Sequence, residues 1–97
     1  MNALDENRMK INDIDAELVH LFEERMKAVQ RILAYKEEHG LPVFDAAREE
    51  ENIRRTAEML KDPSMRGYFE DWYRYTMKVS KDYQKDLLEE HNGEEGR

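Results

Sequence analysis

With 97 residues the chain is one domain at most, and folding alone would bury only somewhat over ~60% of the surface that an unfolded chain of this size exposes. Charged residues make up 40% of it and the formal net charge is −7, which repels nucleic acid or an acidic membrane at long range and confines any cationic function to a local patch. Cysteine is absent, which excludes disulfides, thiolate nucleophiles and cysteine-held zinc.

No apolar run approaches the ~20 residues of a membrane span, and residues 1–10 lack the basic start and apolar stretch of a signal peptide. The expected location is therefore cytoplasmic. Apolar residues recur every three or four positions and nothing reads as a strand, so the predicted fold class is all-α. Turn residues gather at His39-Gly40-Leu41-Pro42, at Asp62-Pro63-Ser64 and at Asn92-Gly93. They divide the chain into a long, a short and a long helix, with a domain over residues 1–91 and an acidic tail over 92–97 that is expected to be disordered.

The first helix should begin near Asn2 to Asp5, where short polar side chains can cap, and stop before Gly40. About 35 residues make ~50 Å of helix, against a radius of gyration of ~13 Å for a compact domain of this size. Its apolar face therefore predicts a second copy of the chain. Along one stripe, spaced by fours and threes, lie Leu4, Arg8, Ile11, Asp15, Leu18, Phe22, Arg25, Val29, Ile32 and Lys36. A charge moved from water into a helix interface costs several kcal/mol unless paired, and Asp15 can answer for one of the three cations. Either these long side chains snorkel and set register, or an anionic guest compensates them. Arg25 and Lys36 are ~16 Å apart along the axis and could converge on one small ligand, whereas Arg8 is ~25 Å from Arg25 and would serve the site of the other subunit.

The second helix should start at Asp45 and run to about Lys61, with Ala46, Ile53, Ala57 and Leu60 inward. Glu49 falls on that stripe with Arg48 beside it, either as a first-turn acid favoured by the helix dipole or as an acceptor for a ligand hydroxyl that also holds Lys36. The third helix should start at Asp62 or Ser64 and continue to about Glu90, with Phe69, Trp72, Tyr73, Met77, Tyr83 and Leu88 among its inward residues. Ser80 and Gln84 share one of its faces, as satisfied core polar groups or as neutral hydrogen-bond donors. Glu17 and His20 have the spacing of helical di-iron sites, but the second such pair is missing, so no metal is expected.

Three runs carry a resemblance. Arg8-x-x-Ile11-x-x-Ile14-Asp15-x-x-Leu18-Val19-x-Leu21, then Glu24-Arg25-Met26 and Lys36, resembles the first helix of the helical chorismate mutases. Pro42-Val43-x-Asp45-x-x-Arg48-Glu49 is similar to that family's loop and second-helix start, and Tyr73-x-x-x-Met77-x-x-Ser80-x-x-x-Gln84 to its third helix. The resemblance implies an intertwined homodimer that rearranges chorismate to prephenate, on the route to phenylalanine and tyrosine, without metal or cofactor. It further implies that Arg25 and the other subunit's Arg8 bind the substrate carboxylates, with Arg48 and Ser80 adding contacts. Asp45, through its backbone, and Glu49 would hold the ring hydroxyl, while Lys36 and Gln84 would donate to the ether oxygen. The alternatives are an isochorismate pyruvate-lyase and a non-catalytic helical regulatory or interaction module.

Overall fold

The computed structural model describes residues 2–95 and consists of α1 (Ala3–His39), α2 (Ala46–Ala57), a 3-10 turn at Pro63–Met65 and α3 (Arg66–Glu95). No strand occurs among the described residues, in agreement with the all-α expectation. The chain forms two compact units, Met1–Ile32 and Leu33–Arg97.

The first unit is the greater part of α1. Asn2 starts it: its carbonyl accepts the first helical bond from the Glu6 N–H at 3.1 Å, and its side-chain oxygen accepts the Asp5 N–H at 2.9 Å, so one of the donors left over at a helix start is satisfied. Leu4, Ile11, Ile14, Leu18 and Phe22 on this stretch are all exposed.

The second unit begins with the last turns of α1. There Gly40 has φ +64°. Its N–H reaches the Glu37 carbonyl at 3.4 Å, and the Leu41 N–H reaches the Lys36 carbonyl at 2.9 Å. This pair of reversed bonds closes a helix and needs a left-handed residue, a conformation that glycine adopts without a Cβ clash. The inward residue here is Leu33, 1% exposed, while Ile32 on the predicted stripe is 51% exposed. A strict four-three stripe repeats every 3.5 residues, whereas the helix turns every 3.6, so over several heptads the buried face moves one residue onward.

Asp45 caps α2 as expected, in extended backbone, with Oδ1 accepting the Arg48 N–H at 3.1 Å. The helix ends at Ala57, four residues before the predicted Lys61, with Glu58 as its cap. Of the predicted inward residues Ile53 and Ala57 are buried and Leu60 is half-buried, but Ala46 is exposed. Asp62 opens the next segment by accepting both the N–H and the hydroxyl of Ser64, at 3.0 and 2.6 Å, and these bonds hold its carboxyl below the usual carboxylate range.

Along α3 the predicted inward residues are half-buried, with the exception of Trp72, which is exposed. Its ring lies 6.0 Å from that of Phe69, which in turn stacks on Tyr73 at 5.6 Å. The helix continues to Glu95, past the predicted end near Glu90. Of the expected tail, Gly96 and Arg97 lie outside the described residues. Helices α2 and α3 pack together, tied on the surface by Arg74 and Glu50, whose ion pair holds the Glu50 carboxyl below its ordinary range. A carboxyl depressed in the folded state stabilises the fold above its unfolded pKa, and the contribution disappears as pH falls through the folded value.

Candidate functional site

Six of the eight site residues expected from the sequence belong to the second unit, where α3 sets their order. Reading α3 from its N-terminal end, Arg74 pairs with Glu50, Lys81 with Glu49 at 3.2 Å, Lys85 lies 5.9 Å from the Phe44 ring, and His91 reaches Glu37 at 3.4 Å. These contacts lay the start of α2, the 41–45 loop and the end of α1 in sequence along one helix. Ser80 and Gln84 alternate with the lysines on this stretch and are buried, at 8% and 9% exposure.

Lys36 comes from the closing turn of α1. Its backbone carbonyl takes the Leu41 N–H and its ammonium donates to the Val43 carbonyl at 3.0 Å, so the same residue grips the loop at two points. The loop is thus touched by Lys36 at Val43 and by Lys85, the neighbour of Gln84, at Phe44. Lys36 is half-buried, and its ammonium carries three donors, of which the Val43 carbonyl uses one.

At the start of α2 the Asp45 carboxylate is committed to the cap, and its carbonyl accepts the Glu49 N–H at 3.1 Å. Arg48 is exposed, and Glu49 is half-buried. One of the two sequence readings of Glu49 had it also hold Lys36; the ion pair in the structure is with Lys81, a position that the sequence motifs leave unspecified. Arg74 and Lys81 are seven residues apart, two helical turns, and meet the adjacent acids Glu50 and Glu49 of α2; that complementary pattern of cations and acids was the available signal. The Ser80 hydroxyl donates to the Thr76 carbonyl at 3.1 Å, the bond that a satisfied helix serine makes.

Arg8 and Arg25 stand on α1 in the first unit, Arg8 exposed and Arg25 half-buried. On the same unit Ala16, Glu17, His20 and Leu21 border an open depression. Among the described residues, no three His, Cys, Asp or Glu side chains gather in a way that could hold a metal ion, Glu17 and His20 included. No described helix is long and apolar enough to cross a membrane.

Fold and side chains together define a small all-α protein of three helices, which presents a lysine, an acid, a hydroxyl and an amide from the end of α1, the start of α2 and the middle of α3. The description of the chorismate mutase type II family matches residues 7–85, and the chain belongs to that family. It is also similar to the T-protein of Haemophilus influenzae, with 39% identity over 49 residues, which is 50% of this chain and 13% of that relative. The chain therefore spans a small part of the length of this curated relative. Membership agrees with the resemblance carried by the three sequence runs and favours neither alternative.

Proposed function

We propose that this chain is a chorismate mutase, converting chorismate to prephenate in a site shared between two copies. The supporting observation is that half-buried Lys36 and buried Gln84, an ammonium and a neutral amide, stand on two helices that meet one loop. The reaction is a pericyclic rearrangement within one molecule: a C–O bond breaks as a C–C bond forms, and no atom enters or leaves. Neither nucleophile nor general base is needed. What remains is to hold a flexible dianion with its reacting carbons together, and to stabilise the charge that grows on the ether oxygen.

In this reading Lys36 and Gln84 donate to the ether oxygen. Arg25 and the partner subunit's Arg8 bind the substrate carboxylates, helped by Arg48 and Ser80. The Asp45 backbone and the Glu49 carboxylate position the ring hydroxyl. A second copy is supported by the exposure of Leu4, Ile11, Leu18 and Phe22, which lie on one stripe with Arg8 and Arg25 and form an apolar face larger than isolated surface residues make. The lack of cysteine suits a reducing cytoplasm.

The direct experiment supplies chorismate and follows prephenate formation, with isochorismate and salicylate release as the second arm. Turnover of isochorismate alone would replace this reading with that of the lyase.

Two substitutions test the assignments. A glutamate can donate only when protonated, so Gln84→Glu should be active toward acid pH and lose about 10²-fold in kcat as pH rises past the ordinary carboxyl range near ~4.3. Equal rates for this variant and the parent at neutral pH would remove Gln84 from the donor role. Arg8→Ala and Arg25→Ala chains, each inactive by itself, should regain part of the activity when mixed and allowed to exchange subunits, because each heterodimer then carries one intact site. If subunit exchange is verified and no activity returns, the site is not shared.

A further inference from the structure

We propose that Lys81 is a positioning residue for substrate binding, holding the Glu49 carboxylate where it can accept a hydrogen bond from the ring hydroxyl of a cyclic dicarboxylate. The inference rests on the reading of Glu49 given above.

Glu49 and Glu50 are neighbours on the first turns of α2 and therefore point about 100° apart. Each meets its own cation on α3. Arg74 takes Glu50 and Lys81, two turns later on α3, takes Glu49. The two pairs differ in setting. The Glu50 side chain is 63% exposed and its pair with Arg74 ties the two helices on the surface, whereas Glu49 is 22% exposed and lies beside the stretch of α3 that buries Ser80 and Gln84. A second surface tie would add little to a fold that already has one, so the less exposed pair calls for a different account.

The contact is between the Lys81 Nζ and a single carboxylate oxygen, Oε2, at 3.2 Å. A carboxylate offers about four lone-pair sites on two oxygens, so a one-point contact fixes its rotamer and retains acceptor capacity for a hydroxyl. An arginine there would grip both oxygens in a planar fork and compete with the hydroxyl.

The ring hydroxyl keeps its charge and its bonds throughout the rearrangement. Whatever orients its acceptor therefore acts equally on the bound substrate and the transition state, and should appear in KM rather than in kcat. Lys81→Met is expected to raise KM for chorismate about tenfold with kcat within about threefold. Lys81→Arg, which keeps the charge and fills both oxygens, should fall between Lys81→Met and the parent. Toward an analogue with hydrogen in place of the ring hydroxyl, Lys81→Met and the parent should show the same KM, since there is no hydroxyl left for Glu49 to hold.

Circular dichroism establishes that each variant is folded; if Lys81→Met is not, Lys81→Gln replaces it in both arms. A KM for chorismate unchanged by loss of the ammonium, or one raised equally for chorismate and the analogue, overturns the role of Lys81 while leaving the mutase reading standing. Absence of chorismate turnover in the parent chain overturns both.

Discussion

Replacing Lys36 with methionine should lower kcat by about 10²- to 10³-fold, the loss that follows removal of one preorganised donor to a developing oxyanion. The substitution keeps the stem that packs at the end of α1 and removes the ammonium. It does not touch the helix stop, because the Leu41 N–H bonds to the Lys36 backbone carbonyl and the positive φ belongs to Gly40. One structural bond is lost, from Nζ to the Val43 carbonyl, and a typical net contribution of ~1 kcal/mol leaves the fold intact. The expected pattern is thus a large fall in turnover with a small change in thermal midpoint. A Lys36→Met chain with parental kcat would mean that the ammonium serves the loop alone.

Leu33→Ala should be the most damaging of the single changes to stability, about 2–5 kcal/mol, with a thermal midpoint lower by roughly 10 °C or more. Leu33 is 1% exposed and is the largest fully buried side chain among the described residues, so its truncation leaves a cavity that an otherwise thin core cannot refill cheaply. It lies one turn before Lys36 on the same helix, and some loss of kcat should accompany the loss of stability. Arg54→Ala is the contrasting control. Its guanidinium bonds Glu51 and Glu58 on the surface, where solvent screens the attraction, and its removal should hardly move the midpoint. Thermal scans at one protein concentration check both, since in a dimer the midpoint also depends on association. A Leu33→Ala midpoint equal to that of Arg54→Ala would show that the end of α1 does not anchor its unit.

Much of the local architecture follows from short-range chemistry that a sequence states openly. Asn2, Asp45 and Asp62 cap where their side chains can reach a free N–H two or three residues on, and Gly40 stops α1 because its backbone tolerates φ +64°. The three-helix order and the family resemblance were legible for the same reason, since caps, stops and motif spacings are properties of neighbouring residues. Less local features were harder to read. The burial of Leu33 in place of Ile32 depends on accumulated helical drift, the early end of α2 on where Thr56 and Ala57 meet the following turn, and the exposure of Trp72 on what α3 does and does not pack against.

By itself, then, the sequence determined the helical class, the helix starts, the glycine stop and the inventory of cations, acid, hydroxyl and amide. Only the tertiary structure decided their partners: that Glu49 meets Lys81 rather than Lys36, and that Lys36 turns to the Val43 carbonyl. The physical reason is range. A cap or a stop is set by the next few residues along the chain, whereas the partner of a charge 32 positions away is chosen by how two helices slide and rotate against each other, which no local pattern encodes.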